Sequence, residues 1–301
     1  MIDRWTDVAG LLGALCWAIG GMIYSRLPVR ASAINVGKNT VASVMLLAVV
    51  LLAGDRFTRP AALDAGSLLL LAGSGIVGIL IGDSSYLRSL QLLGPRRALI
   101  LSTLGPPISA ILGWFLFAEV LTVGQLVAMA LTLGGVALVI RERTATVPGV
   151  IIESSGRGML HGVNASLCQA VGAAMTRHGM RDLDPVDPIT PLIRLATAAL
   201  IGWTLAVSTG RARRWWGELT APGIPQRILI GTTFGTFLGI WLSLIAIGVL
   251  PLATASTQTS TTPIFMTVLV ALVWREKVSL RAWIGTAIAV GGVGLLIHSA
   301  A

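Results

Sequence analysis

Asp83 closes an eighteen-residue stretch, Ala65 to Gly82, that holds no other charged residue. A carboxylate at the end of such an apolar run is expensive in lipid, and its chemical uses are to hold a cationic group or to carry a proton. The structural alternatives are a cap on the helix end, or an ion pair with Arg88 five residues on. Lys38 and Arg194 are the matching cations, each beside an apolar run. Each either snorkels to the interface or meets a substrate carboxylate. Thr254 to Thr262 reads T-A-S-T-Q-T-S-T-T, eight polar residues in nine. Facing lipid, those groups would be left without partners. The segment therefore belongs against a wet cavity, with Ser256 and Gln258 as the substrate contacts, or against another helix with its hydroxyls bonded to their own backbone. Asn164 and Gln169 lie about 140° apart on a helix, so the spacing lets at most one of them face a shared cavity. Trp17, Tyr86, Phe237 and Trp241 are candidate cavity walls, against the plainer reading of packing or interfacial anchoring.

Catalytic chemistry is not encoded. His161, His178 and His298 have no partner at metal-ligand spacing, and no serine sits in a G-x-S-x-G turn. Gly37-Lys38-Asn39 lacks the first glycine and the Ser/Thr of a phosphate loop. No catalytic residue, metal or cofactor is expected, and the chain is not expected to be an enzyme. Cys16 and Cys168, both in apolar runs, read as packing residues.

The elements that carry these residues follow from composition. Of 301 residues, 54% are hydrophobic and 12% charged, too little charge to cover a soluble surface. The net charge of +9 comes from arginines placed between apolar runs, as in membrane-flanking loops, so no nucleic-acid partner is expected. Stretches free of Asp, Glu, Lys and Arg number nine, and Ile228–Trp274, at 47 residues, is about 70 Å as one helix and must be two. Gly248 and Pro251 mark its break. The fold class is an all-α integral membrane protein of ten transmembrane helices, and the first run is a retained helix rather than a cleaved leader.

Shifting the chain by 157 residues lays Gly78 on Gly235, Gly82 on Gly239, Pro106 on Pro263, Glu119 on Glu276 and Gly134-Gly135-Val136 on Gly291-Gly292-Val293. A shift of 156 lays Lys38 on Arg194. The chain is thus two five-helix units, residues 1–143 and 157–301, with a linker over 144–156. Five is odd, so the units must run in opposite senses. Basic residues in the connections divide accordingly, sixteen on one face of the membrane and six on the other. The positive-inside rule makes the first face cytoplasmic and puts both termini outside. Proline breaks at Pro106 and Pro263 and glycines four apart at Gly78, Gly82, Gly235 and Gly239 mark where helices break, bend or pack closely. Glu119 and Glu276 read as solvated residues at helix ends.

These residues resemble the EamA family of the drug/metabolite transporter superfamily. The resemblance rests on Gly82-Asp83-Ser84-Ser85-Tyr86 with Gly94, on Pro106, Trp114, Glu119 and Leu121-Thr122, on Gly134-Gly135-Val136, and on the repetition at Pro263, Glu276 and Gly291-Gly292-Val293. Lys38 and Arg194 stand where the family usually carries arginine near the start of the second helix. The resemblance implies ten helices around a central cavity and export of small metabolites such as amino acids. Inverted repeats themselves point to alternating access in a secondary transporter. The partners expected are a small-molecule substrate, the lipid of a bacterial cytoplasmic membrane and, through Asp83, protons as coupling ion, with the chain a monomer or homodimer. The rival readings are a membrane scaffold or assembly partner and, less favoured, a pore.

Overall fold

The computed structural model describes residues 5–24, 27–54, 63–140, 156–273 and 279–298, and among them there is no strand. A 3₁₀ turn, Thr6–Val8, leads into α1 (Ala9–Tyr24), followed by α2 (Ala31–Ala53). α3 (Ala65–Ser74) continues through a π-helical stretch, Gly75–Asp83, into α4 (Ser84–Ser102). Then come α5 (Gly105–Phe117), α6 (Val123–Ile140), α7 (Gly156–Gly179) and α8 (Ile189–Ser208). α9 (Ala212–Leu219) is short. α10 (Ile224–Thr232) passes through a second π stretch, Thr233–Leu238, into α11 (Gly239–Val249). α12 (Leu252–Thr259), α13 (Thr262–Val273) and α14 (Leu280–His298) complete the described chain.

Six helical segments among the described residues are long and apolar enough to cross a membrane unaided, namely Thr6–Tyr24, Ala31–Ala53, Ala65–Ser89, Ile189–Ser208, Ile224–Val249 and Leu280–His298. Of the rest of the expected ten, α5 and α6 are shorter, the ninth is divided into α12 and α13, and α7, at 24 residues, is long enough but less apolar. The sequence places helix four over Ala98–Ala118, but the helix from Ala65 runs on to Ser102 and breaks at Thr103–Leu104. The matching break in the second repeat is at Ser260–Thr261, 157 residues later. The cause is the same in both. Pro106 and Pro263 stand at the second residue of α5 and α13, where proline needs no helical donor but cannot continue a preceding helix. α9 has no counterpart in the sequence reading, which treats its arginines as loop charges. Burial of Trp215 and Leu219 folds it down over Gly37 of α2, where a Cβ would meet the Leu219 side chain at 2.8 Å. Glu218, paired with Arg214 within the helix, ties it to Arg30.

Packing repeats as the sequence does. α1 lies on α10–α11, and α7 lies on α3–α4. A Cβ on Gly20 would sit 2.5 Å from the Gly235 Cα, and one on Gly172 would sit 2.8 Å from the Gly78 Cα. α6 packs on α14 with the same reciprocity. Gly135 faces the backbone of Ala289 and Gly292 that of Thr132, in both cases because only a glycine lets the two backbones come so close. α2 and α8 meet around a core of Leu46, Leu71, Leu195 and Leu244. Both π stretches also coincide under the repeat, since residues 75–83 map onto 232–240. A π turn is uncommon and concentrates at functional sites, because it leaves carbonyls displaced from the α-helical ladder.

These glycine contacts predict an asymmetric mutational response. Gly20→Ala and Gly172→Ala each force a methyl into rigid backbone and are expected to cost about 1–3 kcal/mol. Gly134→Ala, with nothing within 4 Å of its Cβ, is expected to be neutral or to stabilise by up to about 1 kcal/mol. Thermal unfolding of the three variants in detergent checks this; equal losses would refute the close-packing account.

Candidate functional site

The first π stretch ends on Asp83, and that end faces α2 and α7. Lys38 Nζ donates to Asp83 Oδ2 at 2.8 Å, and Gln169 Nε2 donates to Asp83 Oδ1 at 2.8 Å. The carboxylate therefore bridges α2 and α7. Its side chain is 22% exposed and that of Lys38 13%. Lys38 lies seven residues into α2, about 10 Å from its end, which is deeper than a snorkelling cation needs to be. Gln169 is exposed although it sits in the middle of α7. The exposed apolar residues Leu160, Val163 and Leu167 define one face of α7, and Gln169 lies roughly 120–180° around the helix from them. Its exposure is toward the interior rather than toward the apolar outer face.

Arg194 crosses on the other side of the same stretch. Its carbonyl fills the place of a Cβ at Gly75, and its Nη2 lies 3.3 Å from where a Cβ of Gly78 would be. It is buried, at 6% exposure, and its Nε has no hydrogen-bond partner. Asn35 and Asn39, one turn apart on α2, extend the polar layer: Asn39 Nδ2 donates to Asn35 Oδ1, and Asn35 Nδ2 reaches the Ile79 carbonyl and Ser84 Oγ at a long 3.4 Å. Asn164 donates to Ser85 Oγ at 2.9 Å. The sequence spacing allows one of Asn164 and Gln169 a shared cavity, yet both meet the helix that carries Asp83. They reach residues 83 and 85 from different faces because the helices cross closely at Gly82, whose Cβ position is 3.3 Å from Cys168 Cβ. Tyr86 is half-buried two residues beyond Ser84.

The other expected site residues lie elsewhere. Trp17 occupies in the second half the place that Gln169 holds in the first, its ring filling the Cβ position of Gly239 as Gln169 approaches Gly82. Trp241 donates to the Val186 carbonyl at 2.9 Å and stacks edge-on with Phe237 at 5.7 Å, so both pack against the core cluster. Ser256 faces Gly105 at the start of α5. Gln258 is fully buried and donates to the Asp7 carbonyl at 2.6 Å. Within the polar segment Thr257, Thr259, Ser260, Thr261 and Thr262 all donate to carbonyls three or four residues back along the chain. The belt thus mostly satisfies itself, and the charged cluster draws on both repeats.

Glu119 overturns its reading as a solvated residue. Ala118 ends α5 in the left-handed conformation, φ 52°, which turns Glu119 back against the bundle to 12% side-chain exposure. Its carboxylate pairs with Arg177 of α7, and Oε2 accepts the N–H of Leu252 at the start of α12 at 2.8 Å. Arg177 in turn donates to the Leu250 carbonyl at 2.8 Å and lies over the Phe117 ring at 5.0 Å. A cavity of about 510 Å³ adjoins this cluster, floored by Leu116, Phe117 and Met180. Glu276 lies outside the described residues. Sequence reasoning also missed Asn35, Asn39 and the hydrogen bonds that the Tyr24 hydroxyl shares with the hydroxyls of Thr232 and Thr236. The available signal was polar residues repeating one turn apart inside apolar helices.

The chemistry on offer is recognition without bond-making: a carboxylate held between an ammonium and an amide, a second buried cation, and matched helix breaks. The EamA-like transporter family pattern matches residues 4–141 and again residues 156–298. The chain belongs to that family, as a multi-pass membrane protein of the drug/metabolite transporter superfamily built from two repeats. Protein LicB of Haemophilus influenzae is 34% identical over 117 residues, 38% of this chain. That match spans 39% of LicB's own length. A protein of known crystal structure superimposes with a TM-score of 0.74 over 99% of this chain and 98% of its own, at 17% sequence identity. At that identity the likeness speaks to the fold alone.

Proposed function

We propose that this chain is a secondary transporter working by alternating access, with ten membrane crossings arranged as two inverted five-helix units, residues 1–143 and 157–301, joined by 144–156. Its cargo is a small zwitterion of the amino-acid kind, exported across a bacterial cytoplasmic membrane. The observation that carries this is the charge set around the first π stretch. Asp83 offers a carboxylate to a substrate ammonium. Lys38 and Arg194 supply two cations against that one carboxylate, which leaves positive charge for a substrate carboxylate to neutralise. Reciprocal glycine contacts, paired π stretches and paired breaks before Pro106 and Pro263 support two halves able to exchange conformations. The basic bias puts the α9 end in the cytoplasm and both termini outside, so the Lys38–Asp83 end is loaded from within. Protons are the coupling ion, carried by Asp83.

Efflux of labelled amino acids from proteoliposomes tests the reading. Flux is expected to saturate, and analogues lacking either the ammonium or the carboxylate are expected to compete at least about tenfold more weakly, since each leaves a charged site residue unpaired. Asp83→Asn is expected to remove the pH dependence of any residual flux. Absence of flux would favour a scaffold, and single-channel current would favour a pore.

A further inference from the structure

A cavity of about 190 Å³ lies near the Glu119 cluster, between the 3₁₀ turn that precedes α1, the end of α11 and the first turns of α12. Two oxygens of its polar lining residues accept nothing. Thr254 and Gln258 both line it, at 2% and 0% exposure, and neither Thr254 Oγ1 nor Gln258 Oε1 has a hydrogen-bond partner. Both vacancies have a local cause. Thr257 and Ser260 donate to the carbonyl four residues back, but for Thr254 that carbonyl belongs to Leu250, which Arg177 already occupies. The Gln258 amide is oriented by its nitrogen, which donates to the Asp7 carbonyl, so the oxygen turns into the room left by Gly10, where a Cβ would stand 2.5 Å away.

The end of α11 adds partial charge of the same sign. Pro251 has no N–H for the Ile247 carbonyl, and Leu252 gives its N–H to Glu119, so the Ile247 and Gly248 carbonyls lack their helical donors, while Arg177 already compensates the Leu250 carbonyl. Asp7, which also lines the cavity, adds an acidic side chain. Gln125 is wall rather than ligand, since its Oε1 already accepts the Thr122 N–H at 2.9 Å.

One carboxylate, one hydroxyl, one amide oxygen and a helix C-terminus repel an anion and lack the second carboxylate or the imidazole and thiolate ligands that divalent and transition metals favour. Among the described residues no group of three His, Cys, Asp or Glu could hold such a metal. The set suits a partly hydrated monovalent cation, the kind that helix C-terminal carbonyls bind in transporters. We propose that this cavity is a binding site for a sodium-class cation, whose occupancy clamps the turn before α1 to α12. The site is separate from Lys38 and Asp83, and the proposal does not depend on the substrate.

The test is thermal unfolding of the full chain in detergent, followed by tryptophan fluorescence in sodium, lithium, potassium or N-methylglucamine chloride at equal ionic strength. Sodium is expected to raise Tm above the N-methylglucamine value, and the rise should grow logarithmically with its concentration, as ligand linkage requires. Thr254→Val removes a proposed ligand and no existing hydrogen bond. It should leave Tm in N-methylglucamine near that of the parent and weaken the apparent sodium affinity about tenfold or more. Asp7→Asn should do the same. Equal Tm in all four salts, or a sodium shift that survives Thr254→Val, overturns the site; should Asp7→Asn not fold, the Thr254→Val comparison still decides.

Discussion

Asp83→Asn is expected to abolish saturable flux and to lower Tm, while the double variant Lys38→Met/Asp83→Asn regains much of the lost stability and none of the flux. The pair joins α2 to the end of the first π stretch at 2.8 Å. Removing the charge leaves Lys38 as a half-buried ammonium with no counter-ion, and the new amide, with one oxygen in place of two, cannot accept from both Lys38 and Gln169. Breaking a fully buried pair costs ~3–5 kcal/mol, and with both side chains partly accessible the loss here falls below that range. Replacing both members together removes the uncompensated charge, so stability recovers because what is costly is the orphan and not the absence of the pair. Flux does not recover, because the substrate ammonium has lost its counter-charge. Flux retained in Asp83→Asn would remove this cluster from the transport site, whatever the stability data say.

Much of this architecture is written in the spacing of a few residues. The glycines and prolines that superimpose under a shift of 157 are the ones that make the reciprocal contacts and the paired breaks, because close backbone approach and a missing N–H are demands only those residues meet. Asp83, Lys38 and Gln169 were legible as polar residues out of place, but not as one cluster, since three separate helices bring them together. The polar run from Thr254 drew attention by composition, yet a hydroxyl that bonds its own helix reads in sequence the same as one that waits for a ligand. Glu119 was misjudged for a related reason. Its position at a helix end suggests water, and only the left-handed turn at Ala118 reverses it toward Arg177. α9 escaped notice because eight residues with one buried tryptophan face carry too little hydrophobic pattern to stand out among arginines.

The second large effect concerns the Glu119–Arg177 cluster, which joins the ends of α5 and α7 to the link between α11 and α12. The cluster sits at the end of α5 far from the Thr103–Leu104 break and at the start of α12, so it is placed to hold this end of the bundle shut. With Cys16 and Cys168 replaced by serine and a reporter cysteine at Ser256, Glu119→Ala is expected to speed labelling by an impermeant maleimide about tenfold, the effect of 1.4 kcal/mol on an opening equilibrium. Exchanging the charges, Glu119→Arg with Arg177→Glu, separates this network from a simple ion pair. A simple pair would be restored by the swap. Here the new arginine would face the Leu252 N–H and the new glutamate the Leu250 carbonyl, so each backbone group would meet its own polarity. The swapped protein should therefore open more readily than either single variant and transport least. If the swap restores slow labelling, or if Tm falls in Glu119→Ala while the labelling rate stays at the parent value, the cluster is a structural tie and not a gate.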